Sequence, residues 1–133
     1  MKRLLLLSLC AVLAGCSPKP QVQWQRIEPK QFSESMLQGR PTVLYFYAAW
    51  CGPCNALKEY TFSDERVIAA LEPFQRIRVD MSFQHSAAAE AISARFRIDG
   101  LPSILFFDKT GRERQRISGF VEPEGFLENL TYG

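Results

Sequence analysis

The apolar positions fall into short blocks separated by polar punctuation, and their period changes along the chain. Thr42, Val43, Leu44, Tyr45, Phe46 and Tyr47 form a near-continuous apolar run behind Pro41. Such a run predicts a strand buried on both faces, as a central parallel strand requires. Residues 103–107 predict a second buried strand. Ile77 and Val79 alternate with Arg76 and Arg78, which predicts a strand over 74–80. Residues 23–27 predict a short edge strand with Trp24 pointing inward, and residues 112–118 predict a strand returning from a hairpin turn at 108–111.

Helical spacing occupies the intervals. Phe32, Met36 and Leu37 predict a helix over 29–38, with Gly39 as its stop. A helix is predicted from Asn55 to about Tyr60, and a second one behind Ser63 or Asp64 carries Val67, Ile68 and Leu71 on one stripe up to Pro73. Ala88, Ala91, Ile92 and Phe96 predict a helix over 86–96, and Pro123 opens a last helix to about Leu130. The order β-α-β-α-(α)-β-α-β-β-α predicts one α/β domain. It is a three-layer α/β/α sandwich around a mixed sheet, because the early strands can cross over in parallel while the last two form a hairpin.

Composition adds a boundary at the N-terminus. Lys2 and Arg3 precede an almost wholly apolar stretch over 4–13, too short for a comfortable membrane span, ending in Leu13, Ala14, Gly15 and Cys16. That tetrad resembles the lipobox of bacterial lipoproteins. It predicts a signal peptide over 1–15, lipid on Cys16, a tether over 16–23 and a domain over 24–133. The alternative is an ordinary signal or anchor in which Cys16 is incidental. Ser17 after the cysteine resembles the sorting pattern for the outer membrane. Of 16 Lys and Arg, two leave with the signal, and 14 then balance the 14 Asp and Glu. A neutral domain has no basic footprint for nucleic acid.

The cysteine arithmetic follows. Cys10 lies in the apolar stretch and Cys16 would carry lipid, so Cys51 and Cys54 are the thiols left in an oxidising compartment. They sit in Trp50, Cys51, Gly52, Pro53 and Cys54, where a buried strand feeds a tight turn that opens a helix. The partial positive charge of a helix start favours a thiolate there. A structural zinc site takes four ligands, no second cysteine pair exists, and His85 is the only histidine. A purely structural disulfide of this spacing constrains little unfolded-chain entropy. Redox chemistry is therefore the leading reading.

The motif, its strand-helix-strand setting and Gly100, Leu101 and Pro102 resemble the thioredoxin superfamily. More closely, residues 47–51, Cys54 with 60–64, and 100–108 resemble the C-terminal periplasmic thioredoxin-like domain of the transmembrane electron carrier DsbD, over roughly residues 24–132. The resemblance implies the thioredoxin fold. It also implies an exposed attacking thiolate on Cys51, a buried resolving Cys54, the reducing-type dipeptide Gly52 and Pro53, and a cis-Pro102 that, with Leu101, presents the site to a substrate. Trp50 is read as shielding the disulfide and offering a substrate a flat contact surface; the alternative is an indole half in the core. No cofactor is implied beyond the Cys51–Cys54 disulfide itself, and no metal. The partners implied are oxidised protein clients and a DsbD-like transmembrane electron donor, acting on a monomer in the bacterial periplasm.

Two departures from that pattern bear on the chemistry. Tyr45 stands where the family carries a buried Asp, and Lys58, followed by Glu59, stands where the DsbD domain carries an acid. Fewer carboxylates near the thiols predict a lowered Cys51 pKa; the alternative is that Tyr45 fills core and Lys58 is solvated. Arg76, Arg78, Arg95 and Arg97 are read as solvated, and Asp80 and Asp99 as turn residues. Competing functions are a disulfide oxidase or isomerase, and a non-enzymatic Cu(I)-handling lipoprotein using the two thiolates with Met81 or His85.

Overall fold

In the computed structural model, which describes residues 15–131, five strands form one mixed sheet. They are β1 (Gln25–Ile27), β2 (Thr42–Tyr47), β3 (Gln75–Asp80), β4 (Ser103–Phe107) and β5 (Glu113–Ser118), in the spatial order β1-β3-β2-β4-β5. β3 runs parallel to both β1 and β2, whereas β4 runs antiparallel to β2 and to β5. β2 therefore lies at the centre with both edges paired, and residues 42–46 are all buried.

The period-2 geometry of β2 sorts its side chains between two cores. Leu44 and Phe46 face α3 (Ala87–Phe96), with Ile92 and Phe96 of that helix beside Ile77, Val79 and Leu105. Val43 and Tyr45 face the opposite layer, which joins Leu57 just past α1 (Gly52–Ala56), Val67 and Leu71 of α2 (Glu65–Leu71) and Phe126 of α4 (Pro123–Thr131). This is the three-layer sandwich that the element order predicts, and the thioredoxin fold that the resemblance implies. Each fully buried Leu or Phe of β2 contributes on the order of 1.5–3 kcal/mol of transfer free energy.

Local signals set most boundaries. The Ser86 hydroxyl caps α3 at the Ala89 N–H, and the Asp64 carboxylate caps α2 at the Arg66 N–H. The β4–β5 turn closes on Gly111 at φ +81°, with the Asp108 carboxylate accepting from the Thr110 and Arg112 N–H groups. α3 ends on Arg97 in the left-handed region, at φ 52°.

Three segments depart from the sequence-based expectation. The helix predicted over 29–38 is two separate turns of i→i+3 bonds, Pro29–Gln31 and Glu34–Leu37. Phe32 and Ser33 between them are extended, at ψ 138° and 140°, which lets Phe32 reach the Phe96 ring at 5.2 Å while Leu37 is sunk in the core. Helical spacing was satisfied by two turns, and tertiary contacts decided between them and one helix. Beyond α1 the helix widens into an i→i+5 turn over Leu57–Thr61, where the Phe62 N–H donates to the Leu57 carbonyl at 2.8 Å. The segment expected as a tether is docked from Gln21 onward. The Val22 N–H donates to the Phe62 carbonyl, Val22 is buried, and Gln21 donates to the Lys58 carbonyl. The predicted signal peptide lies outside the described residues apart from Gly15.

Candidate active site

The end of β2 delivers the cysteine pair. After Tyr47 the chain turns through Ala48 and Ala49, and the Cys51 N–H donates to the Ala48 carbonyl at 3.2 Å. Cys51 is the N-cap of α1, with extended backbone, and Pro53 occupies the first turn, where its missing N–H costs nothing. Cys51 and Cys54 form a disulfide with their Cα atoms 5.2 Å apart. The Cys54 N–H points at the Cys51 sulfur at 3.2 Å, and the Asn55 N–H donates to the Cys51 carbonyl. The positive end of the helix is thus aimed at Cys51 and not at Cys54, which lies inside the helix.

The resemblance implies an exposed Cys51. In this disulfide form its exposure is 5%, beside 3% for Cys54. Both residues pack against Ala48, with Tyr47 and Leu101 beside them. Trp50 is the exposed member, at 58%, while Gly52 and Pro53 lie on the surface next to it. The Leu101–Pro102 peptide bond is cis. The Pro102 carbonyl accepts from the Gly119 N–H, which ties this loop to the end of β5.

The turn before Cys51 is braced by Ser82 together with Asp80, which the sequence reads only as a turn residue. Asp80, at the end of β3, accepts from the Ser82 N–H and hydroxyl. The Ser82 hydroxyl accepts from the Ala49 N–H at 3.0 Å, and the Ser82 carbonyl accepts from the Trp50 indole at 3.1 Å. Burial works to raise the Asp80 pKa, but hydrogen bonds from Ser82 and Arg26 outweigh it and hold the carboxyl below its usual range. The available signal was Asp80 and Ser82 two residues apart at a strand end, which is common turn chemistry.

A cavity of about 450 Å³ opens on the far side of Cys54, between it and the docked N-terminal segment. Tyr45, Tyr47, Asn55, Lys58, Arg78, Trp24 and the backbone stretch from Gln21 line it. Tyr45 is packed among Trp24, Phe62 and Tyr47, with ring centroids 5.3, 5.2 and 5.5 Å away. Burial pushes its phenol far above the ordinary range, and the opposing pull of Arg78 is too weak to offset this. Tyr45 is therefore a neutral phenol at any physiological pH. Lys58 reaches the cavity, whereas Glu59 does not line it. The Glu59 carboxylate is paired at the surface with Lys19, whose hydrogen bond holds it below the usual range.

Arg78 is not the solvated residue expected. Its guanidinium lies over the Tyr47 ring, 5.1 Å from the centroid, and its Nε is buried without a hydrogen-bond acceptor among the described residues. Arg76 is half-buried as well, donating to the Gln23, Leu71 and Glu72 carbonyls. The helpers of the copper reading fall elsewhere: Met81 is buried in the α3 core and His85 is exposed in the loop before α3. Among the described residues no group of three His, Cys, Asp or Glu side chains could hold a metal ion.

A family model for the thioredoxin-like domain matches residues 28–133. The chain belongs to the thioredoxin-like family. This thioredoxin-like domain is 39% identical over 96 residues to the thiol:disulfide interchange protein DsbD of Actinobacillus pleuropneumoniae, covering 71% of the chain and 16% of that protein. It is 34% identical over 124 residues to DsbD of Yersinia enterocolitica, covering 86% of the chain and 21% of that protein. The chain thus spans about a fifth or less of the curated relatives it matches here. Among solved structures, the oxidised C-terminal domain of Neisseria meningitidis DsbD superposes with a TM-score of 0.59 at 27% identity, covering 67% of this chain and 76% of that one. A thioredoxin from Thermus thermophilus superposes at 0.62 with 20% identity, over 81% and 85% of the two chains, and supports the fold alone. The thioredoxin-like domain is therefore DsbD-like, with a cysteine pair that closes as a disulfide.

Proposed function

We propose that this chain is an extracytoplasmic thiol:disulfide oxidoreductase that reduces disulfides of periplasmic proteins through a Cys51–Cys54 dithiol/disulfide cycle. The observation that carries this reading is the Cys54 N–H directed at the Cys51 sulfur from the start of α1. That placement favours negative charge on Cys51, so Cys51 is the nucleophile. Its thiolate attacks one sulfur of a client disulfide, and the client's other sulfur leaves as a thiolate. Cys54, deprotonated, then attacks the Cys51 sulfur, and the second client thiolate departs. The client gains two electrons and the domain ends as the disulfide seen here. Trp50 offers the client a flat contact beside the pair, and Leu101 and Pro102 form the opposite rim.

The two electrons must be returned from outside, because an oxidising compartment has no reducing thiol pool. A DsbD-like transmembrane carrier is the donor proposed, by similarity to the DsbD proteins. Cys16, exposed and free at the start of the described chain, is the proposed lipid attachment, holding a monomeric domain at the outer membrane.

The test is insulin reduction by the purified chain, compared with Cys51→Ser. Equal activity in the variant removes Cys51 from the mechanism. The equilibrium potential of the pair separates the oxidase or isomerase reading. A value near about −270 mV fits a reductant, and one near about −120 mV fits an oxidant.

A further inference from the structure

The cavity behind Cys54 is built for something other than its present lining. Two cationic side chains reach it, Lys58 and Arg78, and no Asp or Glu lines it. The Arg78 guanidinium makes no hydrogen bond or ion pair with any described residue, and its buried Nε faces no protein acceptor. A guanidinium usually spends this fork on a carboxylate or phosphate, and a buried unpaired charge-bearing donor is costly. Glu59, next to Lys58 in the chain, is already hydrogen-bonded to Lys19 outside the cavity. The remaining walls are aromatic, from Trp24, Tyr45, Tyr47 and Phe62, with the amides of Gln21, Gln23 and Asn55 among them.

We propose that this cavity is a binding site for a single carboxylate group, held by Arg78 and Lys58 beside Cys54. The aromatic walls favour a carboxylate over phosphate, because a planar monoanion is cheaper to desolvate than a strongly hydrated dianion. Neutral Tyr45 adds a hydroxyl donor without adding a competing charge. The N-terminal segment closes the site, since the Val22 N–H bond to Phe62 and the Gln21 bond to Lys58 bring that wall into place. The carboxylate comes either from a free small acid or from an acidic side chain of a docked polypeptide.

Occupancy has a consequence for the cysteine pair, and that consequence rests on the dithiol cycle proposed above. Cations lining the cavity that Cys54 borders favour its thiolate, so an anion that neutralises them disfavours it. Carboxylate binding therefore slows the step in which Cys54 attacks the mixed disulfide.

The experiment follows the Arg78 Nε–H resonance in ¹H–¹⁵N spectra of the full chain in its disulfide form. Acetate is titrated against sodium chloride at equal ionic strength. A saturable shift with acetate alone is expected, weakened about tenfold or more in Lys58→Gln, as the loss of one charge-assisted contact implies. Arg78→Gln removes the resonance, and the Trp24 indole then reports the loss of binding. No saturable shift in the wild-type chain overturns the site without recourse to any variant. Saturation by phosphate at lower concentration than acetate overturns the carboxylate assignment. N-acetylglutamate amide distinguishes the sources: tighter binding than acetate assigns the group to a polypeptide side chain, and equal binding assigns it to a free acid. A separate stopped-flow measurement follows client release from the mixed disulfide. A rate unchanged at saturating acetate overturns the coupling to Cys54. Because binding is read on the disulfide form, a chain that takes acetate but does not reduce insulin loses the proposed function and keeps the site.

Discussion

Tyr45 and Arg78 are register partners across the parallel β2–β3 ladder, and both line the cavity that Cys54 closes. A neutral phenol and an uncompensated guanidinium thus line the cavity beside Cys54. No carboxylate lines that cavity to take a proton from Cys54. The pair's behaviour should follow from cations and water there.

Tyr45 should titrate above the ordinary tyrosine range. Its phenol is raised by burial, so absorbance at alkaline pH should show a late step that Tyr45→Phe lacks. The linkage has a definite sign. Above about pH 10 the unfolded chain ionises this tyrosine and the folded chain does not, so stability falls as pH rises. Tyr45→Phe should lose less stability over the same range, measured by urea unfolding.

Lys58→Gln should raise the thiolate pKa of the reduced pair. Titration of thiolate absorbance in the dithiol form should give a first apparent value below about 8.5 in the wild-type chain. The two thiols are coupled, so the value belongs to the pair. An unchanged titration curve in the variant would assign Lys58 to solvent.

Cys54→Ser should arrest the cycle at the mixed disulfide. Cys51 still attacks, but no thiolate remains to release the client. Incubation with an oxidised client should accumulate a covalent adduct on non-reducing gels, absent from Cys51→Ser.

Ser82→Ala should slow reduction several-fold while leaving the fold intact. The variant loses the acceptor for the Ala49 N–H and loosens the loop whose carbonyl holds the Trp50 indole. Asp80→Asn should act in the same direction and also change acid stability. The Asp80 carboxyl is lowered in the folded state, so its contribution is present above the unfolded value near about 3.9 and is lost as pH falls through the folded one. Acid unfolding of Asp80→Asn should lack that component.

Phe62→Ala should destabilise the domain by roughly 3–5 kcal/mol, the usual cost of emptying a buried aromatic site. Phe62 is 2% exposed, contacts the rings of Trp24, Tyr45 and Phe126, and its carbonyl anchors Val22. Denaturant unfolding measures the loss, and the Arg78 resonance should shift because the cavity wall is gone.

Much of this molecule is local in origin. The apolar run of β2, the alternation of β3, the caps Asp64 and Ser86, and the hairpin at Gly111 each depend on residues within a few positions. The element order could therefore be assigned before any contact was known. The cysteine pair was legible for the same reason: nucleophile, spacing, strand exit and helix start are all contiguous. The contacts that define the pair's surroundings are not. Arg78 sits in an alternating strand, and whether its long side chain enters solvent or a cavity depends on the docked segment at Gln21 and Val22, more than 50 positions away. Residues 29–38 had helical spacing, but the reach of Phe32 to Phe96 broke them into two turns. Ser82 became a brace for Trp50 only because β2 and β3 end side by side. The chain's own order thus determined the fold and the reacting atoms. Tertiary packing decided the charge and cover around Cys54, because those come from side chains that only the assembled sheet brings together.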